Sequence, residues 1–197
     1  SYLLDFYELT HLTLTQFPES ELPELASCLP RTLVSFCLSL SGNNYDISIP
    51  TSSVDALRYS LESCPLTALV LSEEINWDES WLQLATSVWS LSKLPPLSPT
   101  DAMLEVLADG VPRASSITAL NLMLYEADVN QANALFTGAT QLQEVALYGN
   151  ILGDILPGMA NHAIHLHTLT VECNWVSNLF QVLCSLKFPS LTDLSID

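Results

Sequence analysis

Positive charge is nearly missing from this sequence. Its 197 residues hold 5 Lys and Arg against 22 Asp and Glu, a formal net charge of -17. Binding to a nucleic-acid backbone rests on Lys and Arg, so duplexes and phosphate-rich RNA are not expected partners. Anionic membrane surfaces are disfavoured for the same reason. A partner protein with a basic surface remains compatible. The acids are scattered along the chain rather than gathered in a tail, which reads as a solvated surface.

Glycine is scarce too. The 6 glycines form no cluster, which leaves no glycine-rich phosphate loop. Cysteine is present five times, an odd number without a C-x-x-C pair. Neither a disulfide framework nor a zinc pair is signalled. All five, Cys28, Cys37, Cys64, Cys173 and Cys184, neighbour Leu, Val or Phe within two residues. Buried, reduced thiols are therefore expected, which suits the cytoplasm or nucleus. No N-x-[ST] sequon occurs. No apolar run reaches about 18 residues, so no transmembrane helix is expected. The opening "SYLLDFYELTHL" lacks the basic n-region of a signal peptide. Neither G-x-S-x-G nor H-E-x-x-H is found. No enzyme activity and no cofactor are expected.

Nearly half of the residues, 49%, are hydrophobic, enough for a sizeable core. They are organised as a repeat. "LQEVALYGN" (142 to 150) has apolar residues at positions one, four and six and Asn at nine. The same spacing of one, four and six recurs in "LTHLTL" from Leu9, "LVSFCL" from Leu33, "LTALVL" from Leu66, "ITALNL" from Ile117, "LHTLTVECN" from Leu166 and "LTDLSI" from Leu191. A defective copy, "LSKLPP", begins at Leu91 and has Pro96 at position six. Six of the seven gaps between the eight copies are 24 to 26 residues.

Each strand copy is followed by a helical pattern with apolar spacing of three and four, as in "DVNQANALFTGA" (128 to 139). Ser20, Asp78, Asp101, Asp128, Asp154 and Ser177 stand eleven to thirteen places into their units. They are expected to cap helix N-termini by accepting bonds from free N–H groups. A short strand and one helix cannot bury their own apolar faces. Stacked in order, they give a parallel sheet, a helical layer and a leucine core between them. Asn150 and Asn174 at position nine are expected to turn inward and bond backbone in a ladder.

"LQEVALYGNIL" and "LHTLTVECNWV" resemble the L-x-x-L-x-L-x-x-N-x-L element of the leucine-rich repeat superfamily. The resemblance covers essentially the whole chain and is similar to the ribonuclease-inhibitor-like and cysteine-containing, F-box-type classes. Departures are the often missing Asn, Phe36 and Val145 in place of Leu, and the two prolines of the fourth unit. The resemblance implies an α/β fold: a right-handed horseshoe solenoid with a concave parallel sheet and convex helices. It implies one repeat domain over 1–197. Because neither end shows a polar capping segment, a fragment of a longer protein is expected.

The implied function is non-catalytic recognition of another protein in the cell interior, as the substrate-recognition part of an F-box-like adaptor. A sensor, scaffold or pathogen-effector repeat and a structural spacer are the alternatives. Strand alternation puts positions three, five and seven on the open face. There Glu144, Glu172 and Asp193 gather around Tyr148, with Ala146, Thr168, Thr170, Asn121 and Met123 beside them. These nine are the expected partner-binding residues, Tyr148 first because aromatic residues are enriched at binding hot spots.

Three further features are weighed. His162, His165 and His167 form H-x-x-H-x-H with Cys173 downstream. A zinc site needs three or four converging ligands, and a helix-to-strand turn offers two, so no metal is expected. The stretch from Asn43 to Ser53 lengthens the second unit to 33 residues, either as a tolerated insertion or as a contact loop. Trp77, Trp81, Trp89 and Trp175 are expected mainly between the strand and helix layers.

Overall fold

The computed structural model describes residues 8–41, 50–71, 77–87, 94–125, 127–172 and 176–196, with side chains except at 176–180. The chain divides into two compact units, Ser1–Leu91 and Ser92–Asp197. The first holds β1 (His11–Pro18), a 3-10 turn, α1 (Leu22–Cys28), β2 (Ser35–Ser41), α2 (Thr51–Glu62), β3 (Ala68–Leu71) and α3 (Glu79–Ser87). Its strands are parallel in the order β1-β2-β3. The second holds α4 (Asp101–Gly110), β4 (Ala119–Leu124), α5 (Val129–Gly138), β5 (Glu144–Gly149), α6 (Leu152–His162), β6 (Thr168–Glu172), α7 (Val176–Ser185) and β7 (Asp193–Ile196). Its strands are parallel in the order β4-β5-β6-β7. Within each unit, helices adjacent in sequence also pack on one another. The fold is therefore α/β, built of two small parallel sheets with helical crossovers.

The repeat supplies the core. Leu33, Phe36 and Leu38, then Ile117, Leu120 and Leu122, Leu142, Val145 and Leu147, and Leu166, Leu169 and Val171 are all buried. Each triplet is positions one, four and six of a copy. Helix residues close over them, Leu22, Leu25, Val54, Leu57, Leu61, Trp81 and Leu84 in the first unit. Trp81 is fully buried there and Trp77 packs half-buried against the same cluster. Trp89 and Trp175 lie outside the described residues. At the last copy the pattern persists without the burial: Leu194 is 47% exposed and Ile196 38%. The register keeps these two on the face of Leu169 and Val171, but they are not covered, because β7 is the edge of its sheet.

One backbone arrangement recurs between neighbouring copies. The carbonyl at position two accepts two N–H groups of the next copy. Thr10 O takes Val34 and Ser35 N–H at 2.7 and 3.0 Å; Val34 O takes Thr67 and Ala68; Thr118 O takes Gln143 and Glu144; Gln143 O takes His167 and Thr168; His167 O takes Thr192 and Asp193. Residue pairing across the sheets then follows the sequence period, as in Glu144↔Thr168 and Thr168↔Asp193.

The copy at Leu91 behaves differently from its spelling. Leu97, not Pro96, pairs with Leu122. Its N–H donates to Asn121 O at 3.0 Å and its carbonyl accepts from Met123 N–H at 2.7 Å. Leu97 is buried and Pro96 exposed. Position six is filled one residue late, because a proline has no N–H for the ladder.

Several local expectations are corrected. Asp78 and Asp128 do cap: Asp78 Oδ1 accepts from Ser80 and Trp81 N–H, Asp128 Oδ1 from Asn130 and Gln131 N–H. Asp101 does not cap α4, since Thr100 Oγ accepts Met103 N–H there. Asp154 lies inside the first turn of α6 and Ser20 inside the 3-10 turn. Ser177 lies within α7, and its side chain is outside the described set. Asn150 is exposed rather than turned into an interior ladder; Asn174 and the loop residues 43–49 fall outside the described residues. Gly149 before it has φ +150°, and an added Cβ there would collide with the Leu124 carbonyl. Cys28 is buried, Cys37 and Cys64 half-buried and Cys184 exposed, all four free. A helix rotates by about 100° per residue, so lying beside Val182 and Leu183 does not bury Cys184. Burial raises the Cys64 pKa, against smaller opposing effects of Ser63 and Arg31.

Three outcomes follow for urea or thermal unfolding of the chain. Leu169→Ala costs about 3 kcal/mol by cavity formation, whereas Leu194→Ala, at the same repeat position but half-exposed, costs under about 1 kcal/mol. Gly149→Ala costs roughly 1–3 kcal/mol, because the conformation and the close carbonyl both exclude a side chain. Asp128→Ala costs about 1 kcal/mol as a lost cap, while Ser20→Ala stays within about 0.5 kcal/mol.

Candidate functional site

The parallel register of β4 to β7 sorts the outward side chains into three rows. Ala119, Glu144, Thr168 and Asp193 form the first; Asn121, Ala146, Thr170 and Ser195 the second; Met123, Tyr148 and Glu172 the third. Successive side chains on a strand point to opposite faces, so these rows lie opposite the buried triplets. All nine expected partner-binding residues fall in them. Glu144, Asp193 and Met123 are exposed; Asn121, Ala146, Tyr148, Thr168, Thr170 and Glu172 are half-buried.

The middle row has the shortest side chains. It forms a shallow trough running across the strands, with Glu144 and Asp193 along one bank and Met123, Tyr148 and Glu172 along the other. Strands about 4.8 Å apart and residues about 3.3 Å apart make this face roughly 14 Å by 13 Å. None of the nine is a Lys or Arg, so the three carboxylates have no cation within the rows. In the second unit the described cations are Arg113, which pairs with Asp109, and Lys187, in the loop before β7. Asp193 Oδ2 accepts from Thr192 Oγ at 2.8 Å. Asn121 Oδ1 is buried without a hydrogen-bond partner among the described residues. The face holds no histidine, cysteine or lysine, the usual nucleophiles and near-neutral bases.

His162 ends α6 half-buried, and His165 and His167 are exposed in the turn to β6. No group of three His, Cys, Asp or Glu among the described residues could hold an ion; Cys173 is outside them. No described helix is long and apolar enough to cross a membrane.

A second feature was not expected. At the C-terminal end of β4, beside the start of α4, lies an open depression of about 420 Å³ lined by Ser98, Pro99, Thr100, Asp101, Met123 and Tyr125. Met123 belongs to both the depression and the third row. Ser98 Oγ donates to Met123 Sδ at 3.5 Å. Asp101 Oδ1 accepts the Asp128 backbone N–H at 3.0 Å, which holds the carboxylate at the rim. Tyr125 is 46% exposed. It stands at position nine of its copy, where "LYGN" has Asn150, and an aromatic residue there was the one available signal. No protein-family model and no curated protein matches the chain.

Proposed function

We propose that the chain is a leucine-rich-repeat solenoid whose β4–β7 face recognises another protein and does no chemistry. The observation that carries the reading is the outward face itself. The shared register sets Tyr148 and three carboxylates around a trough of short side chains, with no cation in the rows. Aromatic residues contribute disproportionately to binding energy at interfaces, and unpaired acids favour and steer a basic partner. The repeat period and the recurring position-two carbonyl support the solenoid.

The face is small. Roughly 14 Å by 13 Å is about 180 Å², against about 800 Å² per partner in a stable complex. The partner therefore lays an extended basic segment in the trough and continues over the neighbouring turns. An intracellular adaptor of F-box-like type, with these repeats selecting its substrates, fits this arrangement. The free Cys28, Cys37, Cys64 and Cys184 and the missing sequons agree with an intracellular setting. A sensor, scaffold or effector would use the same face.

The test is affinity capture with the intact chain, followed by titration calorimetry with the main partner. Tyr148→Ala combined with Glu144→Ala weakens that partner at least about tenfold. Glu105→Ala, on the exposed side of α4, leaves it unchanged. Equal affinity of all three proteins would assign the face to a spacer and overturn the reading.

A further inference from the structure

We propose that the depression beside β4 is a binding subsite for an arginine side chain presented by the partner. The inference extends the recognition face by a built pocket, and it rests on that reading only for the source of the arginine. Three properties of the walls select the group. Pro99, Met123 and Tyr125 supply apolar and aromatic surface, which suits the aliphatic stem and the planar guanidinium of arginine. Asp101 supplies a fixed carboxylate: one of its oxygens takes the Asp128 N–H, and the other is left to accept from the ligand. Ser98 Oγ spends its hydrogen on Met123 Sδ, so its lone pairs accept as well. No Lys, Arg or His among the described residues lines the space.

Its volume, about 420 Å³, is ample for one long side chain and leaves room for water. An anion is the competing occupant, because the pocket adjoins the N-terminus of α4. The positive pole of a helix amounts to about +0.5 charge, whereas Asp101 at the first helical position brings a full negative charge. Thr100 Oγ already takes the Met103 N–H at 3.2 Å. The net local sign is negative, and the chain around it carries -17. Lysine satisfies the charge but not the planar stacking on Tyr125, so it ranks below arginine.

The experiment is a backbone-amide NMR titration of the full chain with N-acetyl-arginine amide. N-acetyl-lysine amide and N-acetyl-citrulline amide, the neutral isostere, serve as comparators. Saturable shifts are expected at the amides of Ser98, Thr100, Asp101 and Met123–Tyr125. Citrulline binds at least about fivefold more weakly than arginine, and added salt weakens the arginine signal. Asp101→Asn keeps an acceptor for the Asp128 N–H but removes the charge, and weakens arginine about fivefold or more; Tyr125→Ala does the same. Glu105→Ala has no effect, and the amide spectra of the variants report whether each is folded. Equal binding of citrulline, shifts centred elsewhere, or no saturable shift would overturn the proposal. Because the probe needs no protein partner, such a failure is separate from a failure of the Tyr148 and Glu144 variants in capture.

Discussion

The carbonyl at the second position of each strand copy accepts two N–H groups from the copy that follows, and the register of both sheets descends from that bond. Thr10, Val34, Thr118, Gln143 and His167 all perform it. A shift of one residue in a strand would turn its apolar set to the opposite face. Fixing the strand start therefore fixes which side chains of the whole copy enter the core. The tolerance of the arrangement shows in its exceptions. Between β2 and β3 the copies are 33 residues apart, yet Ser35 pairs with Ala68, because the extra residues are taken up before α2. Near Leu97 two prolines delay the pattern by one residue, and the pairing with Leu122 restores the spacing.

What the sequence makes legible is whatever repeats. Burial of Leu142, Val145 and Leu147 follows from alternation alone, and so does the outward placement of Glu144, Ala146 and Tyr148. Features that depend on one neighbour are not legible in this way. Whether Asp101 or Thr100 caps α4 turns on a single residue of helix start, and both are good caps by type. Thr100 holds the cap, which releases Asp101 to meet the next helix through the Asp128 N–H. Asn150 shares its position with the ladder asparagine of the pattern but is exposed. Leu194 keeps the apolar pattern without its burial, because burial requires a neighbour on each side.

The candidate site divides along the same line. Its rows are a consequence of register and could be written down from position numbers. The depression is a consequence of how the entry to α4 passes the end of β4, with Met123 shared between the two. Only Tyr125 advertised it, as an aromatic residue at the repeat position that Asn150 and Asn174 hold in their copies. The middle row explains the trough in the same local terms: Ala146, Thr170 and Ser195 are short, and Asn121 is held low enough to bury its Oδ1.

Charge and shape have different tasks in such a molecule. With 22 acids and 5 Lys and Arg, at least 17 carboxylates have no cation of their own to pair with. The field is therefore negative over most of the surface, and it favours a basic partner without telling it where to land. At physiological salt that field decays over about 8 Å, shorter than the β4–β7 face is wide. Its long-range contribution is to encounter rate and to the rejection of acidic competitors. In the recognition proposed above, position on the surface comes from short-range features: the trough between Glu144 and Tyr148, and the depression where a fixed carboxylate meets an exposed phenol. Adding further acids elsewhere would change how fast a basic partner arrives, but not which of its residues is read.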